Sequence, residues 1–272
     1  MRKKEFTEEE VNKMINLYHN PTMSLQKIGE NFGVSRNVIK RVLVEQNVYN
    51  PNRKARKYYF NENFFEVINT EEKAYWLGFI AADGCIVPPR VGTTSGACLK
   101  IRLHPKDREH LEKFILALNS NLVIKDRINT GFSEGQPCID LEINSIKMVR
   151  DLIDKGIVPH KSLILEPPKI DPKFNLHFIR GYFDGDGSIY HSNDIFVFSI
   201  VGTESILNWI QKELGTEQKL EKRHKTDICS YFRIGGTNKP YKFLQKIYEH
   251  SSVYLKRKYS LFKLLQSSIK EI

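Results

Sequence analysis

The sequence predicts an α+β fold: two pseudosymmetric αββαββα repeats preceded by an all-α helical domain. Three observations lead there. Residues 74–86 (AYWLGFIAADGCI) and 178–190 (FIRGYFDGDGSIY) are apolar segments that each reach an Asp-Gly pair, with Gly78 and Ala82 matched by Gly181 and Gly185, 103 residues on. A similar succession of strand and helix patterns follows both segments, as an internal repeat requires. The first fifty residues, by contrast, carry only helical spacing. The paired small residues need a tertiary reason, because a glycine inside a helix costs about 1 kcal/mol relative to alanine.

The elements follow in chain order. Over residues 7–19, Val11, Met14, Ile15 and Tyr18 share one helical face, and Thr7 with Glu10 three residues on forms a capping box. In SLQKIGENFGVSRNVIKRVLVEQN, Ser24 and Ser35 are placed to cap two further helices, Gly33 supplies a turn between them, and Gly29 is small where they would approach. Ile28, Val34, Val38, Ile39 and Leu43 supply the core. This pattern resembles the helix-turn-helix of DNA-binding proteins. The resemblance implies that Arg36, Asn37, Lys40 and Arg41 on the second helix reach base edges or phosphates. Residues 1–50 form this domain, and residues 51–61, beginning PNRKARKY, form a basic linker.

Repeat one, residues 62–168, reads as a helix over 71–83, strands near 97–104, a helix over 107–118, strands near 122–128 and 138–143, and a helix over 145–154. Repeat two, residues 169–272, reads as a helix over 174–186, a strand over 195–201, a helix over 203–214, strands near 218–224 and 229–234, and a helix over 239–249. The first strand after each leading helix is the least distinct. The tails GIVPHKSLIL and SSVYLKRKYSLF correspond, each placing a lysine before a serine and a leucine. EPPKIDP, residues 166–172, is the joint between repeats.

Composition bounds the function. The chain has 272 residues, 40% of them hydrophobic, with 42 basic against 32 acidic residues and a net charge of +10. That charge favours a polyanionic partner. Residues 1–57 hold 12 basic and 6 acidic residues, so more than half of the excess sits in the first fifth of the chain. Cys85, Cys98, Cys138 and Cys229 form no C-x-x-C pair, which argues against zinc and against a disulfide framework. Reduced thiols and a cytoplasmic location are expected. The first residues lack the apolar core of a secretory signal, and no stretch reaches the 18 or so apolar residues of a membrane span.

The nonamers of residues 76–84 (WLGFIAADG) and 179–187 (IRGYFDGDG), each leading into its repeat, resemble the LAGLIDADG homing endonucleases. The resemblance covers about residues 62–272. It implies that the two motif helices pack along a pseudo-twofold axis, with Gly78, Ala82, Gly181 and Gly185 permitting close backbone approach. It further implies that Asp83 and Asp186 become neighbours and hold Mg²⁺ or Mn²⁺, hard cations that prefer oxygen ligands. Gly84 and Gly187 join them in the implied metal set. Lys161 and Lys258 resemble the family's basic active-site residues, although both lie on otherwise exposed tails. The implied reaction is phosphodiester hydrolysis on both strands of a long double-stranded DNA site. A single chain with both repeats is expected to act as a monomer.

Asp184 is left outside the catalytic set, because Ala81 fills the matching position in repeat one. A calcium loop over DGDGSI fails at both ends, since Tyr182 and Asn193 would fall at its first and last ligand positions. In CLKIRLH, Lys100, Arg102 and His104 alternate with apolar residues and share one strand face. The resemblance makes that face, with Lys125, Arg127, Lys219, Arg223, Lys225 and Arg233 on other strands, the candidate DNA contact surface. Two rival readings stand beside cleavage: a non-cleaving DNA-binding transcriptional regulator on the same scaffold, and an intron RNA maturase.

Overall fold

The structure is a computed structural model that describes residues 5–51, 53, 55–89, 96–130, 134–192, 195–222, 224 and 226–270. It contains two compact units. One comprises the chain up to Phe60 together with Ser120–Leu122; the other holds Asn61–Asn119 and the chain from Val123 onward.

The first unit is trihelical, with α1 (Glu8–His19), α2 (Leu25–Phe32) and α3 (Arg36–Glu45). The capping box forms: the Thr7 amide donates to Glu10 Oε2 (2.9 Å), and the Glu10 amide donates to Thr7 Oγ1 (3.2 Å). Ser24 caps α2 by accepting from the Lys27 amide (3.1 Å). Gly33 ends α2 at φ 62°, a left-handed conformation that favours glycine. Ser35 holds the N-cap position of α3, but its side chain makes no capping bond. Met14, Tyr18, Ile28, Ile39, Val42 and Leu43 form the buried core.

The basic stretch expected as a linker is in part packed onto this unit. The Arg53 guanidinium donates to the Asn20 carbonyl (2.6 Å) and the Met23 carbonyl (3.1 Å), and lies 4.2 Å from the Tyr18 ring centroid. The Arg56 amide donates to the Pro21 carbonyl (2.8 Å). The Pro21 and Met23 carbonyls lie past the end of α1, outside its hydrogen-bond ladder, and the Asn20 carbonyl takes Arg53 as a second donor beside the Met23 amide (3.1 Å).

In the second unit, α4 (Glu71–Asp83) and α7 (Asn175–Asp186) pack side by side at the centre. Both are buried around most of their circumference, from Ala74 to Ala81 and from Phe178 to Asp184, with Arg180 and Asp184 the charged residues inside the second span. Each runs directly into a strand, β1 (Gly84–Val87) or β5 (Gly187–Ser192). Repeat one continues with β2 (Cys98–Leu103), α5 (Arg108–Ala117), β3 (Lys125–Ile128), β4 (Pro137–Ile143) and α6 (Ile146–Asp154), and its antiparallel sheet has the order β1-β2-β4-β3. Repeat two continues with β6 (Ile195–Gly202), α8 (Glu204–Leu214), β7 (Ser230–Gly236) and α9 (Asn238–Tyr248), and its antiparallel sheet has the order β5-β6-β7.

Two expectations need correction. No strand forms over 218–224 among the described residues; a single bridge joins Glu221 to Tyr231. The segment QKLEKRH has one apolar residue, Leu220, too few to give a strand a buried face. The two tails also differ. Lys161 begins a 3-10 turn (Lys161–Leu163), whereas Lys258 lies in the first turn of a long helix, α10 (Lys256–Lys270). Phe262 and Leu265, fully or nearly buried, hold α10 down.

Candidate active site

The site is built where α4 and α7 end. Along the helix pair, a Cβ on Gly78 would meet the Phe178 carbonyl group and come within 2.9 Å of the Tyr182 nitrogen. A Cβ on Gly181 would meet the Tyr75 carbonyl group and lie 2.8 Å from the Phe79 nitrogen. The two backbones therefore touch, and only glycine fits at either crossing point. One turn on, the side chain of Ala82 fills the space beside Gly185, where a Cβ would lie 3.2 Å from Asp83 Oδ2. The close crossing sets the two C-terminal carboxylates, Asp83 and Asp186, beside each other.

Both acids are half-buried. Burial pushes the Asp83 carboxyl up, the charge of Asp186 raises it further, and Lys258 and Lys161 pull against them, leaving it at about 6. Burial likewise raises Asp186, against the pull of Lys161 and Lys258.

The structure buries the two lysines that the sequence placed on exposed tails. Lys161 Nζ donates to the carbonyls of Ala82 (3.1 Å) and Gly84 (2.5 Å). Lys258 Nζ donates to the carbonyls of Phe183 (2.6 Å), Asp184 (2.8 Å) and Gly187 (2.5 Å). Each ammonium thus caps the C-terminal end of one motif helix, where carbonyls lack intrahelical partners and the helix dipole is negative. Burial lowers both lysines, Lys258 to about 8, while the neighbouring carboxylates oppose the shift.

These residues fit a divalent cation. Two adjacent carboxylates, raised by burial and, at Asp83, by its neighbour's charge, gain most from a hard cation between them. The Gly84 and Gly187 carbonyls, expected in the metal set, each accept from a buried lysine. Among the described residues, no cluster of three or more His, Cys, Asp or Glu could hold a metal alone. A cation here thus draws its remaining ligands from water and substrate.

Asp184 is fully buried and partnered, not solvent-facing. It accepts from the hydroxyls of Tyr75 (2.7 Å) and Tyr248 (2.5 Å) and from the Leu255 amide (2.7 Å). Because Tyr75 spends its proton on Asp184, the His110 Nε2 3.0 Å away donates to the Tyr75 oxygen. That fixes the neutral Nε2–H tautomer, and His110 Nδ1 has no partner. Burial raises Asp184, with Lys258 and the two tyrosines pulling it back. Ala81 at the matching position hid this network: its partners come from residues 75, 248 and 255, remote in sequence.

The strand alternation predicted for β2 holds. Lys100, Arg102 and His104 are exposed while Leu99 and Ile101 are buried. The face is not uniformly basic, however. Register sets Lys100 opposite Glu142 and Arg102 opposite Asp140. Arg102 donates to both Asp140 oxygens (2.6 and 2.8 Å), and Lys125 reaches Glu142 (2.7 Å). Alternating acids in β4, CIDLEI, carried this signal. His104 Nδ1 accepts from the Lys106 amide (3.1 Å). A groove beside Asp83 runs past Arg102, His104, Asp107 and Arg257. Arg127, Lys219 and Arg233 are exposed, the last 3.6 Å from Glu221. Arg223 and Lys225 lie outside the described residues. In the first unit Arg36, Asn37 and Lys40 are exposed, and Arg41 is half-buried, 3.8 Å from Glu45.

No family model matches the chain, and no curated protein matches it. Solved structures do. The meganuclease I-SmaMI bound to uncleaveable DNA is 14% identical, with 71% of this chain and 88% of that one covered at a TM-score of 0.46. The LAGLIDADG homing endonuclease I-LtrWI bound to target DNA is 15% identical, with 78% and 92% covered at 0.45. The LAGLIDADG homing endonuclease I-GzeII in complex with its DNA target is 14% identical, with 72% and 89% covered at 0.47. Among the described residues, no helix is long and apolar enough to cross a membrane.

Proposed function

We propose that the chain is a site-specific endonuclease of the LAGLIDADG homing type, which hydrolyses both strands of double-stranded DNA and works as a monomer with Mg²⁺ or Mn²⁺. The observation that carries this reading is the acid pair: Asp83 and Asp186 lie at the ends of two helices in backbone contact, each helix end capped by a buried lysine. Without a cation the pair is an electrostatic liability, and a fold with only a structural task has no use for it.

A divalent cation held by the two carboxylates supplies Lewis-acid activation of water and of the scissile phosphate. Asp83 and Asp186 fix the position of that chemistry. Lys161 and Lys258, held rigid by the carbonyls, supply fixed positive charge where the phosphate gains negative charge. The grooved face of β2 and β4, with Arg102 and His104, lies next to Asp83 and orients one arm of the duplex. Lys125, Arg127, Lys219 and Arg233 add phosphate or base contacts, and Arg36, Asn37 and Lys40 of the first unit engage a further stretch of duplex.

The test is strand-resolved cleavage of a plasmid carrying the mapped site. Asp83→Asn and Asp186→Asn are expected to bind the site and to fail at double-strand cutting. Full linearisation by either variant, or wild-type cutting indifferent to chelator, refutes the metal mechanism. A wild type that binds tightly and never cuts, whichever divalent metal is supplied, supports a regulator in its place.

A further inference from the structure

The outward faces of the two sheets differ at matched positions, and strand register defines the match. Gly84 pairs with Ile101, which pairs with Leu141; Gly187 pairs with Ile200, which pairs with Phe232. One residue either side of these buried rows points outward. Where repeat one has Lys100 opposite Glu142, repeat two has Ser199 opposite Arg233. Where repeat one has the doubly bonded Arg102–Asp140 pair, repeat two has Val201 opposite Tyr231. Beyond Ser199, Val197 lies opposite Tyr190, which is 47% exposed.

The cavities repeat the contrast. The groove over repeat one is lined by Arg102, His104, Asn129 and Gln136. The groove over repeat two is lined by Val201, Tyr231, Leu163 and Ile228, the last two more than half exposed, together with Thr226, Asp227, Cys229 and Ser230. Both faces start at a candidate catalytic acid, since β1 and β5 begin one residue after Asp83 and Asp186. A duplex lying over the acids therefore continues in one direction along a face of paired charges, and in the other along a face where Val197, Val201, Tyr190 and Tyr231 flank Ser199 and Arg233.

We infer that the two repeats read their half-sites by different chemistry, and that repeat two takes thymine at the base pairs facing Val197, Val201 and Tyr190, on either side of the Ser199–Arg233 position. This rests on the endonuclease reading above. In the major groove thymine alone presents a methyl group, while guanine and cytosine present oxygens, nitrogens and amino groups that must be paired. Against valine, a guanine or cytosine edge loses water and finds no partner, whereas a thymine methyl gains by burial. Repeat one, with oriented Arg102, Lys100 and Lys125, discriminates by hydrogen bonds. Its half-site tolerates guanine and cytosine and ignores the thymine methyl.

The experiment replaces thymine by deoxyuridine, which removes only the C5 methyl, separately in each half of the mapped site. Affinity and cleavage by the wild-type protein are then measured. One half-site is expected to weaken roughly fourfold per contacted methyl, the worth of one buried methyl group, and the other to change less than twofold. Val197→Ser and Val201→Ser are expected to erase the sensitivity without moving the cut position. Equal insensitivity of both halves overturns the inference, as does a sensitivity that both valine variants retain. Those outcomes leave the endonuclease reading intact. A protein with no specific site refutes that reading, and this inference with it.

Discussion

Gly181→Ala separates a packed helix pair from an ordinary helix by the sign of its effect. In a helix with open space beside the glycine, alanine stabilises by about 1 kcal/mol. Here the new Cβ lies 2.8 Å from the Phe79 nitrogen and 2.9 Å from the Tyr75 carbonyl carbon. Comfortable contact needs about 3.5 Å or more, so the helices must part by something on the order of 1 Å. Backbone atoms cannot step aside as a rotamer can. The shift is felt along the whole α4–α7 contact, where a gap of that size forfeits up to about half of each contact's dispersion energy. Overpacking typically costs about 1–3 kcal/mol and sometimes more. Gly181 belongs at the upper end, so we expect a net loss of about 2 kcal/mol after the helix-propensity gain. The melting temperature should fall by roughly 4–8 °C. Double-strand cutting should fall further, because the same separation moves Asp83 away from Asp186. Thermal unfolding and cleavage are measured side by side. A Gly181→Ala protein that melts at or above the wild type would falsify the backbone contact that the site depends on.

Asp184→Asn replaces an acceptor of three donors by a group that accepts less, and should cost about 1–3 kcal/mol in urea unfolding; unchanged stability would contradict the network with Tyr75, Tyr248 and Leu255. His110, held neutral with its imidazole lowered to about 3 by burial, gives a pH dependence. The unfolded chain takes up this proton near pH 6.5 and the folded chain only near 3, so the contribution is present above pH 6.5 and is lost as pH falls. Between pH 7.5 and 4.5 the wild type should lose about 2–3 kcal/mol more than His110→Gln, and parallel profiles would refute the assignment. Finally, Arg36→Gln combined with Lys40→Gln should reduce the slope of log affinity against log salt by about 1.8, two phosphate contacts' worth; an unaltered slope would remove the first unit from the DNA interface.

Much of this was legible in the sequence, for local reasons. Helix limits at residues 71–83 and 174–186 followed from apolar runs stopped by Asp-Gly, and the matched small residues marked the crossing points of α4 and α7. What stayed hidden is what only tertiary approach creates. Lys161 and Lys258 read as surface lysines because their partners, the carbonyls at two helix ends, carry no sequence signal at all. Asp184 stands outside the catalytic set in the sequence because Ala81 fills the matching place, and its buried network stays hidden because its donors lie 64 to 109 residues away. The β2 face read as basic because Asp140 and Glu142 join it only through register. The missing strand over 218–224 is a failure of another kind: repeat symmetry suggested it, and the segment's own polarity was the better guide.

The most direct test exposes a high-complexity pool of random duplexes to the purified protein with Mg²⁺ and sequences every end produced. Paired cuts on both strands at one defined long site, abolished by chelator and by Asp83→Asn or Asp186→Asn, are the expected result. Enrichment of bound duplexes with no new ends, under Mg²⁺ or Mn²⁺, would contradict it.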